Sequence, residues 1–160
     1  MPQMRDPGQA GPARARRSAH LLVPVMSALI WLALALGAAA AAAALWGYYR
    51  ELPGWLTGPE ICQLEAGGCA VLFRTPRAAL LGVPNASLGL LLYAVLAAGL
   101  VLNWPAVLLF AMTIPAVAMS AFLGWSLWSR RLQCRICWTG HVANASLAVL
   151  LALRAFSASA

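Results

Sequence analysis

The chain contains no lysine, and only four of its 160 residues are acidic. Charged residues of both signs make up 9%, against about 25% in a soluble globular domain. A chain so poor in charge, with 62% hydrophobic residues, cannot cover itself with polar surface. That excludes a soluble enzyme, a disordered chain and a nucleic-acid-binding domain. The formal net charge of +7 does not reopen the last possibility. All eleven basic residues are arginine, and four of them (Arg5, Arg14, Arg16 and Arg17) precede residue 18. Charge placed beside an apolar run is a topology signal for a membrane, not a phosphate-binding face.

What is abundant is uncharged apolar sequence, and it falls into four runs. Residues 1–20 are polar and rich in Pro, Gly and Arg, which predicts a disordered cytoplasmic tail. From Leu21 to Tyr49 no residue is charged, and a membrane span needs only about 20 residues. The Ala38–Ala44 run inside it is strongly helix-forming. It also resembles a small-residue cleavage site, so a signal peptide is the rival reading. The run nevertheless continues through Leu45, Trp46, Tyr48 and Tyr49, which read as an interfacial anchor and favour an uncleaved span. Residues 50–83 form an extramembrane loop ending in a short interfacial piece, Ala78–Val83. Proline is best tolerated in a first helical turn, so the second span is expected over 84–102, starting at Pro84. Asn103-Trp104-Pro105 predicts a tight turn. The third span is expected over 106–128 with a kink at Pro115, and the fourth over 134–156, leaving a short tail at 157–160. The fold class expected is therefore all-α: an integral membrane four-helix bundle with one large loop between helices 1 and 2. Trp128 reads as an interfacial anchor.

The four cysteines form two pairs, Cys62-x6-Cys69 in the first loop and Cys134-x2-Cys137 at the start of the fourth span. Two crossings separate the pairs, so both lie on one face of the membrane whichever way the chain is oriented. Arginines on the two faces nearly balance, and the basic tail decides for an amino terminus inside. The shared face is then the extracytoplasmic, oxidising one, where disulfides persist. Cys134 and Cys137, at i and i+3, share a helix face within the separation a disulfide needs. The helix dipole favours a thiolate there, which makes the pair reactive. The Ala66-Gly67-Gly68 stretch lets the loop bend so that one dithiol can reach the other, as exchange through a mixed disulfide requires. Two inert structural disulfides remain an alternative. Zinc is a weaker one, since the first pair is spaced too widely for a usual zinc knuckle. No metal is expected.

Cys134, Cys137, His141 and Asn144 follow one another at steps of three, four and three, making a polar stripe on an apolar helix. Polar residues within a span are costly and point to function, although His141 alone could merely hydrogen-bond a neighbouring helix. Asn85, in the first turn of the second span, is expected at similar depth. Cys137, His141 and Asn85 could together surround a flat apolar molecule with hydrogen-bonding carbonyls, and a quinone fits that description. Asn85-Ala86-Ser87 and Asn144-Ala145-Ser146 match the glycosylation sequon, but both lie in expected spans and are discounted.

At these residues the chain resembles the vitamin K epoxide reductase family, as a bacterial-type member without a fused thioredoxin domain. The stretches that carry the resemblance are Gly68-Cys69-Ala70-Val71-Leu72, Thr75-Pro76, Gly82-Val83-Pro84-Asn85-Ala86-Ser87-Leu88-Gly89, and Cys134-Arg135-Ile136-Cys137 through Asn144-Ala145-Ser146. It covers roughly Tyr49 to Phe156. The resemblance implies a four-helix bundle around a quinone of the menaquinone, ubiquinone or phylloquinone type. It implies that Cys62 exchanges with a partner's dithiol, Cys69 passes electrons to Cys134, and Cys137 reduces the quinone. It places Asn85 where the family has an asparagine contacting a quinone carbonyl. His141 stands where the animal enzymes carry a tyrosine, and Thr75 where a serine is common near the loop cysteine. A different four-span, quinone-linked disulfide generator has its two cysteine pairs in the opposite order.

The resulting expectation is a multi-pass protein of the cell inner (plasma) membrane with its cysteines on the extracytoplasmic side. It would be a quinone-dependent thiol-disulfide oxidoreductase that oxidises a separate thioredoxin-like partner and so drives disulfide formation. Epoxide or quinone recycling of the vitamin K type is an enzymatic alternative. A non-enzymatic membrane protein with structural disulfides is the other.

Overall fold

A computed structural model describes residues 11–50, 52, 78–80, 82–129 and 134–157, with side chains from Pro24 onward except that of Leu80. Four long helices account for nearly all of them. They are α1 (Gly11–Tyr49), α2 (Asn85–Val101), α3 (Ala106–Ser129) and α4 (Arg135–Ser157). A two-residue hairpin, β1 (Ala79–Leu80) and β2 (Val83–Pro84), precedes α2.

α1 is 39 residues long, about 58 Å at 1.5 Å per residue, whereas a hydrocarbon core is about 30 Å thick. Its apolar part, Pro24–Tyr49, is 26 residues long and suffices for a crossing. The helix begins ten residues ahead of the expected span, so the second half of the segment expected to be a disordered tail is helical. Residues 12–20 are rich in Ala and Arg, good helix formers, and extending an existing helix escapes the cost of nucleation. Pro24 lies inside α1 without ending it.

The piece between the loop and the second span is the hairpin. β1 and β2 pair antiparallel with Ala79 opposite Pro84 and Leu80 opposite Val83. Gly82 in the turn has φ +83°, which glycine adopts without the penalty a Cβ would bring. Pro84 closes β2 and is the N-cap of α2, with φ −55° and ψ 130°. The helix thus starts one residue later than expected. The ring-fixed φ suits both a strand end and a helix start, and the missing N–H is not needed at either place.

α2 ends in a tight, fully bonded turn. Asn103 N–H donates to Leu100 O (3.3 Å) and Trp104 N–H to Gly99 O (2.8 Å), with Asn103 in the left-handed region at φ 55°. This is the Schellman arrangement, and asparagine is one of the few residues that accept it. Trp104 then folds back onto Gly99, where an added Cβ would lie 2.8 Å from the indole and 2.6 Å from Leu109. Pro105 begins the return, and its carbonyl accepts from the N–H groups of Leu108 and Leu109. α3 is continuous through Pro115.

α1, α3 and α4 are each long and apolar enough to cross a membrane. α2 has 17 residues, the short end of the range of about 17–25 for a span, and the hairpin extends the chain at one end of it. α4 is the centre of the bundle, packing extensively on α1 and α3, while α1 also packs on α2. Ile30 and Leu34 of α1, Tyr93 and Leu96 of α2, Leu109 of α3, and Leu147 and Leu151 of α4 form one buried cluster. The outer faces are equally apolar: Leu91, Phe122, Trp125, Trp128 and Val149 are exposed. Such a surface is matched to lipid rather than water. Trp125 and Trp128 face outward, consistent with anchoring.

The closest approach in the core is between α1 and α2. A Cβ on Gly37 would lie 2.5 Å from Cζ of Tyr93, whereas one on Gly89 would sit 3.7 Å from the Ala41 methyl, an ordinary contact. Gly37→Ala is therefore expected to cost about 1–3 kcal/mol as overpacking and to lower the melting midpoint in detergent clearly. Gly89→Ala should leave it near wild type; equal midpoints for the two variants would contradict this packing.

Candidate functional site

The bundle is not solid. A cavity of about 760 Å³ lies between the helices, lined by residues of all four. Small-molecule sites typically fall in the range of about 300–1,000 Å³. One wall is Ala40, Ala41 and Ala44 of α1, which gives the alanine run a role its helix propensity did not reveal. Short side chains let α1 approach α4, where a Cβ on Gly140 would come to 4.0 Å from the Ala40 methyl, and still leave room for a ligand. Leu92, Met112 and Met119 continue the apolar lining.

Three of the four residues of the polar stripe of α4, Cys137, His141 and Asn144, line this cavity. Cys134 precedes the first helical residue, and its carbonyl accepts from Trp138 N–H at 3.0 Å, so it is the N-cap. It is completely buried, packed with Ala40 and Ile136 and flanked by Tyr48 and Leu52. Cys137, the third residue of α4, is half-buried and lines the cavity. The two members of the motif therefore have different surroundings: one sealed at the helix end, the other facing the void. One turn further, His141 lines the same cavity, with its ring edge-on to Trp138 at 6.1 Å. Its Nε2 is buried with no hydrogen-bond partner among the described residues. Asn85, the first residue of α2, also lines the cavity. The structure thus brings Cys137, His141 and Asn85 to one void. Cys62, Cys69 and Thr75, the other expected site residues, lie outside the described residues.

Asn144, the last residue of the stripe, is the junction of the bundle. It accepts a hydrogen bond from Tyr93 Oη on α2 (2.7 Å) and donates from Nδ2 to Ser120 Oγ on α3 (2.8 Å). Sequence reasoning missed Tyr93 and Ser120. The available signal was a polar side chain in the middle of each of two apolar spans, but nothing in their spacing tells which neighbour each would meet.

These residues fit a quinone. The void is of ligand size, its lining is mostly apolar, and a buried imidazole nitrogen and an asparagine amide face it as hydrogen-bonding groups for a carbonyl-bearing ring. The helices and the site together define a multi-pass membrane protein with a cysteine motif at the end of a ligand-sized cavity between its helices. The chain matches the model of the Vitamin K epoxide reductase family over residues 28–152, from within α1 to within α4. It belongs to that family, and its general activity is that of a membrane oxidoreductase of quinone and disulfide chemistry. No curated protein and no solved structure matches the chain.

The contrast in burial has a direct readout. In reduced protein, a small membrane-permeant maleimide should modify Cys137 about tenfold faster than Cys134 or more, because thiol reactivity follows access as well as ionisation. Mass spectrometry of early time points measures it, and equal rates would contradict the sealed position of Cys134.

Proposed function

We propose that the protein is a membrane quinone reductase that oxidises the dithiol of a separate thioredoxin-like partner and thereby drives disulfide formation. The observation that carries this reading is Cys137 on the wall of the cavity with Cys134 three residues away at the helix cap. A dithiol so placed has one sulfur for each side of a relay.

In this reading a partner thiolate attacks the Cys62–Cys69 disulfide, forming a mixed disulfide that resolves to oxidised partner and reduced loop. A Cys69 thiolate then attacks Cys134 of the Cys134–Cys137 disulfide, and Cys137 leaves as a thiolate. Resolution of the Cys69–Cys134 bond by Cys62 restores the loop disulfide and leaves Cys134 and Cys137 reduced. Because Cys134 is sealed, the attack requires the packing around it to open. The first-turn N–H groups and dipole of α4 favour the leaving thiolate of Cys137. Asn85 and His141 hold and orient a carbonyl beside Cys137, and the apolar lining excludes water from the electron transfer. Bound there, the quinone supplies a two-electron, two-proton sink. The sum is partner dithiol plus quinone giving partner disulfide plus quinol. The basic amino-terminal segment supports a cytoplasmic start, and so an extracytoplasmic face for both cysteine pairs, in a cell inner membrane. Thr75, which stands where the family commonly has a serine near the loop cysteine, is a quinone-binding candidate by resemblance alone.

The test uses the purified protein in lipid nanodiscs with menadione and a reduced thioredoxin-like dithiol. Quinol formation is followed by absorbance and partner oxidation by thiol alkylation. Equal amounts of quinol and partner disulfide are expected. Cys137→Ala should lower turnover by about a hundredfold or more, as loss of a reacting nucleophile does. Undiminished turnover in that variant would remove the relay. Turnover of the epoxide in place of the quinone would select the recycling reaction instead.

A further inference from the structure

The cavity has a second polar feature, two helical turns along α4 from Cys137. Tyr93 Oη donates to Asn144 Oδ1, and Asn144 Nδ2 donates to Ser120 Oγ. With the Asn144 amide in this orientation, its oxygen accepts and its NH2 donates. Ser120 therefore spends its oxygen as an acceptor and keeps its hydroxyl proton. Helical serines commonly place that proton on a carbonyl one turn back. Here the bond from Asn144 is the hydrogen bond Ser120 makes among the described residues. Tyr93, Ser120 and Asn144 all line the cavity. A hydrogen-bond chain that runs through an apolar bundle and ends in an unspent donor is costly unless an acceptor completes it.

We propose that Ser120 is a ligand-binding donor, forming a second polar subsite for a carbonyl oxygen, with Tyr93 and Asn144 as the residues that position it. The proposal rests on the quinone reading above and deepens it. Asn85 and His141 serve the carbonyl near Cys137; Ser120 serves the opposite one. Asn144, which hydrogen-bonds Ser120, lies seven residues from Cys137, a rise of about 10.5 Å along α4, which leaves room for a ring between the Cys137 end of the cavity and Ser120. The site is thus selective for ligands that carry two opposed carbonyls. It holds such a ring by both ends, which fixes the orientation in which the ring meets Cys137.

The experiment measures binding, with no dithiol partner present. Wild type, Ser120→Ala and Ser120→Thr are placed in nanodiscs in the oxidised form. Menadione affinity is read from tryptophan quenching, and its carbonyl stretches from difference infrared spectra with 13C at one carbonyl or the other. The melting midpoint is taken without ligand. Ser120→Ala is expected to weaken menadione about three- to tenfold, the usual worth of one hydrogen bond. It should shift one labelled carbonyl band toward its unbonded frequency and leave the other in place. Ser120→Thr keeps the hydroxyl and should retain affinity and both bands. Where Ser120→Ala does not fold, Ser120→Cys, nearly isosteric and a weak donor, reads the same band. Unmoved bands with unchanged affinity overturn the proposal. So does a lowered midpoint with unmoved bands, which would make Ser120 a structural partner of Asn144 alone. Wild type that fails to bind menadione overturns the quinone reading and this subsite together, an outcome distinct from failure of the Ser120 variants in a wild type that binds.

Discussion

One amide side chain in the middle of an apolar bundle sets the relative positions of three helices. In hydrocarbon an unsatisfied polar group costs several kcal/mol, whereas a made interhelical bond contributes only about 0.6 kcal/mol on average in membranes. The asymmetry means that the Tyr93–Asn144–Ser120 chain matters less for the stability it adds than for the arrangements it forbids. A slide or rotation of α2, α3 or α4 that parts Asn144 from either partner strands a polar group among Leu and Ala. α1 is bound into the same arrangement sterically, because the Tyr93 ring that delivers the hydroxyl occupies the space a Gly37 side chain would need. A glycine, a tyrosine, a serine and an asparagine, one from each helix, thus fix a register that the nearly uniform apolar surfaces could not.

That fixed register is what allows a cavity to exist. Apolar helices in lipid have no strong reason to stand apart, and van der Waals packing between small residues draws them together. Here the close approach is concentrated where Gly37 meets Tyr93 and where Gly99 meets Trp104 and Leu109. α2 and α3 pack on each other far less than α4 packs on α1 or α3. On the side of the Gly37–Tyr93 contact away from Gly99, the alanines of α1 and the methionines of α3 line the void.

Much of the fold could be read from the chain because its signals were local. The absence of charge marked the spans, Asn103-Trp104-Pro105 marked the turn, and the spacing of the polar residues of α4 marked a face of which Cys137, His141 and Asn144 line the cavity, while Cys134 is sealed at the cap. What could not be read depended on partners far away in the chain. Tyr93 and Asn144 are separated by 51 positions and Asn144 and Ser120 by 24, and no periodicity within one helix encodes such a meeting. The alanine run was legible as helix but not as a wall, since its meaning depends on what stands opposite. The early start of α1 and the hairpin before α2 were missed for a different reason. Composition marks a segment as polar or interfacial, while propensity and a positive-φ glycine decide the conformation it takes.

α4 shows that packing and chemistry in this protein are not separable. Its buried residues are Ile136, Ala143, Leu147, Leu151 and Ala155, a stripe that seals the bundle. Cys137 and Asn144 each follow a member of that stripe, and one residue is a rotation of about 100°. The rotation that drives Leu147 and Leu151 into the core therefore turns Cys137 and Asn144 toward the void, with His141 between them. Turning α4 to hide its polar residues would withdraw its leucines from the core, and turning it to expose Cys134 would do the same. Access to Cys134 must then come from movement of what packs upon it, Tyr48 and Leu52 among them, rather than from motion of the helix that carries it. A rigid α4 also keeps Cys137 fixed against the cavity, so that in the proposed relay only the Cys134 side of the pair calls for a moving partner.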